Sequence, residues 1–246
     1  IATAITADVS TKKAGKTPFK KEDFLKAVQD DAFIEKMVAK YPKLLASLPS
    51  KDSGVRYRLE GYLFPATYNY GKDTTVKEMI DQMLAAMDQN LTPYYETLES
   101  KNINVNEVLT LASLVEKEGA TDQDRKDIAS VFYNRLNQDM PLQSNIAILY
   151  AEGKLGQKTT LKEDATIDTE LDSPYNIYKN TGLMPGPVDN PGVSAIEAAV
   201  NPSKTDYLYF VANVENGEVF FAKTYEEHNK NVEEHVNSKL TQASSN

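Results

Sequence analysis

Apolar residues between positions 21 and 136 recur mostly at helical spacing. Phe24, Leu25 and Val28, then Phe33, Ile34, Met37 and Val38, predict two short helices over 21–29 and 31–40, with a third around 42–47. Val76, Met79, Ile80, Met83, Leu84 and Met87 stripe one face of a longer helix, about 75–89, capped by Thr74. Pro93 to about Ser100 is another helix. Asn104–Glu118 differs, being apolar nearly all round: Val105, Val108, Leu109, Leu111, Ala112, Leu114 and Val115. A helix of that kind is buried, and Gly119 supplies its stop. Thr121 and Asp124 have capping-box spacing and open a helix through about Asn137, with Ile128, Val131, Phe132 and Leu136 inward.

Elsewhere the period breaks. Residues 1–20 read as a helix remnant and a loop, Pro49–Gly54 as a turn cluster, and Arg56–Tyr70 as an ordered extended loop with room for a short strand. Met140–Ala151 carries Gln143-Ser144-Asn145 and a further apolar run. Residues 152–192 are rich in Gly, Pro, Asp, Thr and Asn, and their embedded Tyr175 and Tyr178 argue for an ordered, functional loop. Ser194 and Glu197 form a second capping-box pattern, opening a short helix to Val200. Tyr207–Val214 and Glu218–Ala222 read as strands flanking the hairpin signal Glu215-Asn216-Gly217. Thr224 starts a last helix through about Leu240, and 241–246 is a polar, frayed tail. The fold class is α+β: a mostly helical domain with a small antiparallel sheet.

Composition narrows the chemistry. The 246 residues allow one large domain or two small ones. With 41% hydrophobic and 26% charged residues, the chain is globular rather than disordered or collagen-like. Its net charge of −9 argues against nucleic acid as a partner and leaves uncharged polymers such as glycans open. The absence of cysteine removes disulfides, thiolate metal sites and cysteine nucleophiles. The two histidines, His228 and His235, stand one heptad apart on the last helix, about 10.5 Å, too far to share one metal ion. No apolar run approaches the ~20 residues of a membrane span. The chain opens on Ile1 without a Met and reads as a fragment of something longer.

Three groups of residues carry candidate chemistry. Glu118 follows Leu111, Leu114 and Val115 on one face of the buried helix, at its C-terminal end. Desolvation and the negative end of the helix dipole both favour its protonated form, as a general acid requires. The competing reading is a solvated glutamate paired with Lys117 or Arg125, and Glu116 is the runner-up for the same role. Glycosidases commonly use two carboxylates, and Glu163, Asp164, Asp168, Glu170 and Asp172 stand in one loop, where solubilising the loop is the simpler role. The third group is Asn134, Arg135, Gln143, Ser144, Tyr175, Asn176, Tyr178 and Asn201, a set of amides, hydroxyls and flat rings suited to sugars. Taken singly, each is more often a cap or a core tyrosine. No phosphate-binding glycine loop, Gly-x-Ser-x-Gly elbow or EF-hand spacing is present, and no cofactor or metal is called for.

The ordered motifs resemble one family. Leu59-Glu60-Gly61-Tyr62-Leu63-Phe64-Pro65-Ala66-Thr67-Tyr68 and Leu111-Ala112-Ser113-Leu114-Val115-Glu116-Lys117-Glu118 look like its first two signatures. Val131–Leu136, Met140–Ser144, Ser173–Tyr178, Gly182–Pro187, Asn201-Pro202 and Asp206–Val211 follow in order, so the match covers about residues 55–235. The chain thus resembles the YceG-like family, the endolytic murein transglycosylases. Ala66 and Asn145 stand where Asp is expected in many members, and Met184 where Pro is. The resemblance implies an enzyme anchored in the bacterial cytoplasmic membrane, with its catalytic domain on the extracytoplasmic side and cell-wall synthesis proteins as partners. It would cleave nascent peptidoglycan strands between N-acetylmuramic acid and N-acetylglucosamine and leave 1,6-anhydro-muramic ends. The family's catalytic glutamate falls on Glu118, with Glu116 as the runner-up, and the third group would line the glycan cleft. A partial LysM-like subdomain would occupy 1–54 and the catalytic domain 55–240. A hydrolytic muramidase, using Asp164 or Asp168 as second carboxylate, and a non-catalytic peptidoglycan-binding module are the alternatives.

Overall fold

A computed structural model describes residues 1–8, 15–157, 167–213 and 216–238. The described part is mostly helical. Strands β1 (Ala7–Asp8) and β2 (Gly15–Lys16) pair antiparallel and precede α1 (Lys21–Ala27) and α2 (Asp31–Lys40). Then come α3 (Val76–Leu91), α4 (Tyr95–Ser100), α5 (Val105–Glu118), α6 (Asp122–Leu136), α7 (Asn145–Ala151) and α8 (Val193–Val200). Strands β3 (Tyr209–Ala212) and β4 (Val219–Ala222) form an antiparallel hairpin in which Phe210 faces Phe221, and α9 (Tyr225–Val232) follows.

The helix starts show why these segments fold locally. Thr75, Asn104, Thr121 and Thr224 each close a reciprocal capping box with the acidic residue three positions on, which satisfies two backbone donors at each start. Thr75 rather than Thr74 caps α3, and the Thr74 hydroxyl instead accepts the Gly71 N–H. Residues 42–47 are turns, not a third helix, because Pro42 follows the end of α2 and cannot continue its hydrogen bonds. Residues 56–70 contain no strand. The expected box at Ser194 and Glu197 does not form. The N-cap of α8 is Gly192, the Ser194 hydroxyl donates to Asp122, and Glu197 accepts the Tyr94 hydroxyl. The last helix passes into a π-helical turn at Glu233–Asn237, and the expected tail lies outside the described residues.

The core is built around α5. Every residue from Val108 to Val115 is buried, including Thr110 and Ser113. Ser113 is satisfied on both sides, donating to Thr110 O and accepting the Val188 N–H. Helices α6 and α8 pack on it, the latter through Ala195, Ile196, Ala198 and Ala199. Their close contact is tied by the Tyr133 hydroxyl, which donates to Ala199 O at 2.8 Å. Gly119 ends α5 in extended backbone (φ −95°, ψ 127°), so its glycine is not required by a left-handed turn. It is required by space: a Cβ there would lie 2.5 Å from Arg125 Cγ and 3.1 Å from the Arg125 backbone, at the start of α6. Buried side chains between Ile5 and Val200 form one continuous cluster, spanning both sides of residue 54.

Candidate active site

Glu118 is the last residue of α5, and its Oε1 accepts the Ser144 hydroxyl at 2.7 Å. Ser144 is 3% exposed and is the N-cap of α7, where the same oxygen accepts the Ile146 N–H at 3.2 Å. One hydroxyl therefore both starts α7 and meets the carboxyl. Burial raises the Glu118 carboxyl above the ordinary carboxylate range, with the Ser144 bond acting in the opposite direction. The cations beside it in sequence face other groups. Lys117 pairs with Asp189 at 3.3 Å and Arg125 with Asp122 at 3.5 Å. Glu116 plays a different part. Its Oε2 accepts the Gly192 N–H at 3.1 Å and holds the start of α8.

Three further predicted positions, Tyr178, Gln143 and Arg135, lie around this pair or support it. The Tyr178 hydroxyl donates to Oδ1 of Asn145, the residue after Ser144. Burial first, and the charge of Glu118 second, push Tyr178 up to about 12. Gln143 is exposed and sits in left-handed backbone (φ 57°), unusual for a residue with a side chain and typical of functional sites. Its N–H donates to Ile177 O, which ties the 141–144 segment to the 175–178 loop. Arg135, 6% exposed, donates to Leu208 O (2.6 Å), Pro141 O (2.9 Å), Leu142 O (3.1 Å) and Gln143 Oε1 (3.1 Å). Its guanidinium also stacks 5.0 Å from the Tyr209 ring centre. Arg135 thus clamps the segment that ends at Ser144, rather than facing solvent.

The other predicted positions are spent internally or stand apart. Asn134 donates to Thr205 O and Tyr207 O, both at 2.9 Å, and fixes the approach to β3. Asn176, 1% exposed, donates to Thr169 O and Leu171 O and accepts the Tyr178 N–H. Tyr175 is buried with its ring against Tyr150. Asn201 is exposed at the end of α8, where Val200 O accepts Lys101 Nζ near the start of α5. The eight residues of α8 put it about 12 Å from the Glu116 end. Asp168 accepts the Glu170 N–H in an exposed turn, and Glu163 and Asp164 lie outside the described residues. Among the described residues no group of three or more His, Asp or Glu side chains could hold a metal.

Two residues were not singled out by sequence. Asn190 Oδ1 accepts the N–H groups of Gly61 (3.0 Å) and Leu63 (3.2 Å), fastening the first signature beside α5. Glu60 hydrogen-bonds the Tyr150 hydroxyl at 2.5 Å, and burial pushes its carboxyl up to about 7. A lone acid inside the run Tyr57–Phe64, otherwise aromatic, aliphatic or basic, was the available signal for it.

The site is thus a desolvated carboxyl at the end of α5, held by a hydroxyl from the cap of the next helix. The chain belongs to the YceG-like family, whose profile matches residues 3–234. It is 67% identical over 219 residues, 89% of this chain, to the endolytic murein transglycosylase of Streptococcus pneumoniae serotype 2 strain D39. It is 42% identical over 227 residues, 92% of the chain, to the endolytic murein transglycosylase of Bacillus subtilis strain 168. The crystal structure of a yceG-like protein from Listeria monocytogenes superposes with a TM-score of 0.78 at 47% identity, over 86% of this chain and 67% of that one. The chain spans 40% of the length of the streptococcal relative and 61% of the Bacillus relative.

Proposed function

We propose that this chain carries the catalytic domain of an endolytic lytic transglycosylase that cuts peptidoglycan strands between N-acetylmuramic acid and N-acetylglucosamine. The observation that carries the reading is the desolvated Glu118 carboxyl, hydrogen-bonded by Ser144, while Lys117 and Arg125 pair with other carboxylates. The activity for which the streptococcal and Bacillus relatives are named supports it. In this reaction Glu118 protonates the glycosidic oxygen as its bond to the anomeric carbon breaks. The C6 hydroxyl of the same muramic residue bonds that carbon, and the Glu118 carboxylate takes its proton. The acid is regenerated, no water is consumed, and no second carboxylate is needed.

Gln143, Asn145 and Tyr178 would face the glycan, while Arg135, Asn134 and Asn176 would hold the segments that carry them. Residues 1–54 would be the later part of a LysM-like, glycan-binding subdomain, in keeping with a strand pair followed by two short helices. Among the described residues no helix is long and apolar enough to cross a membrane. The full-length protein would supply an anchor, work outside the cytoplasmic membrane, and meet cell-wall synthesis proteins there.

The test is mass spectrometry of purified glycan strands digested by the chain, by Glu118→Gln and by Glu116→Gln. Anhydro-muramic ends, reduced about 10²–10⁴-fold only in Glu118→Gln, support the reading. Loss confined to Glu116→Gln moves the acid, reducing ends indicate a hydrolytic muramidase, and strand binding without product indicates a binding module.

A further inference from the structure

Glu60 lies outside the Glu118–Ser144 contact, yet it meets the same helix. The Tyr150 hydroxyl donates to its Oε2, and Tyr150 is buried near the C-terminal end of α7. Ser144 is the cap at the opposite end of α7, about 9 Å away along six residues of rise. A seven-residue helix gains little stability from its own hydrogen bonds, so its placement depends on what grips its ends. At the Tyr150 end the grip is built from several elements. The Arg56 guanidinium lies over the Tyr150 ring at 4.7 Å and donates to Tyr150 O at 2.9 Å and Ala151 O at 3.3 Å. Tyr175 packs its ring 4.9 Å from the same ring. The charged groups that face Glu60 are Arg56 on its own segment, Asp189 from the loop before α8, and the more distant Ile1 amino group. Tyr150 and Tyr175 are the titratable hydroxyls beside it.

We propose that Glu60 and Tyr150 form a positioning pair that acts through α7 to hold the Ser144 hydroxyl on Glu118. Neither residue touches the reacting atoms. The pair seats one end of a short rigid element whose other end carries the hydroxyl bonded to the catalytic carboxyl. The kinetic part of this inference rests on the transglycosylase reading, and the structural part does not. Desolvation and nearby Asp189 favour the protonated form of Glu60 against the opposing Tyr150 bond, Arg56 and the Ile1 amino group, so below about pH 7 the bond to Tyr150 is one between neutral groups.

The experiment measures two quantities on Tyr150→Phe, Glu60→Leu, Glu60→Gln and Ser144→Ala beside the unsubstituted chain. One is the titration of the Glu118 carboxyl, followed by carbon-13 NMR. The other is kcat and KM on glycan strands. Since the Ser144 bond lowers the Glu118 pKa, loosening it raises the midpoint. Tyr150→Phe and Glu60→Leu should each raise the Glu118 midpoint by about half a pH unit, in the same direction as Ser144→Ala. They should lower kcat about tenfold with KM changed less than about twofold. Glu60→Gln, whose amide oxygen still accepts the Tyr150 hydroxyl, should recover most of both losses. An unmoved Glu118 midpoint in folded Tyr150→Phe and Glu60→Leu overturns the proposal, as does a rise in KM alone, which would place Glu60 on the substrate. If the unsubstituted chain cleaves no strand, the transglycosylase reading fails, and the Glu118 midpoint still decides the pair.

Discussion

The hydroxyl of Ser144 lies 2.7 Å from Oε1 of Glu118, joining residues 26 positions apart in sequence, and the same oxygen caps α7. Ser144→Ala therefore has two separable consequences. Loss of the cap should lower stability by about 1 kcal/mol, read by urea unfolding. Loss of the bond to the carboxylate should raise the Glu118 pKa further, because that bond is the one contribution holding it down. In the proposed mechanism strand cleavage needs protonated Glu118, so activity should fall as pH rises through its pKa. In Ser144→Ala that alkaline fall should move to higher pH, even though the maximal rate drops.

Glu60 makes folding stability depend on pH. Its folded pKa, about 7, lies above the ordinary 4.5, so between those values the folded chain binds more protons than the unfolded one. The Glu60 contribution is thus fully present below about 4.5 and is lost as pH rises through about 7. Glu60→Gln should match the unsubstituted chain at pH near 4 and exceed it at pH 8 by up to about 3 kcal/mol. Thermal melts of both proteins across pH check this, and parallel curves would contradict it.

Arg135 is buried without a carboxylate partner among the described residues and spends its donors on three backbone carbonyls and Gln143. Arg135→Lys keeps the charge but cannot reach Leu208 O, Pro141 O and Leu142 O in that fork. A loss of about 2–4 kcal/mol is expected, since buried acceptors and a buried charge are left poorly paired. Arg135→Met removes the charge and should cost less than Arg135→Lys if desolvation dominates. Denaturant midpoints of the two variants rank them directly.

Gly119 and Gly71 both lie outside the left-handed region, so alanine strains neither backbone. At Gly119 the new Cβ would stand 2.5 Å from Arg125 Cγ and 3.1 Å from its backbone; at Gly71 the nearest atom is 3.6 Å away. Gly119→Ala should cost about 1–3 kcal/mol by pushing the start of α6 off α5, and Gly71→Ala under about 0.5 kcal/mol, both read as shifts in the urea midpoint. Because Gly119 follows Glu118, the first variant should also lower the cleavage rate.

Much of the scaffold was legible locally. The Thr121 box forms as spaced, and Thr224 starts the last helix as expected, because a cap involves groups only three residues apart. The strand-like runs Tyr207–Val214 and Glu218–Ala222 pair as a hairpin through Tyr209–Ala212 and Val219–Ala222. Failures arose where a distant group intervened. The Ser194–Glu197 pattern has the right spacing, but Asp122 and Tyr94 take its side chains and Glu116 supplies the capping carboxylate from another helix. Residues 42–47 carry buried Leu44 and Leu45, yet they form only turns after Pro42 ends α2.

The sequence by itself determined that the middle of α5 would be buried and that two glutamates would stand near its C-terminal end, because Val108–Val115 present apolar surface nearly all round; it left open whether Glu118 would be solvated. It did not separate Glu118 from Glu116, which stand two residues apart on the same turn. The tertiary structure gives the two different partners: α8 brings a backbone N–H to Glu116, and the α7 cap brings a hydroxyl to Glu118. It also turned Arg135 and Asn176 inward and carried Asn201 to the far end of α8. Periodicity records which face of a helix is buried, whereas a partner 26 or 76 residues away depends on how helices cross and loops return, which no local pattern encodes.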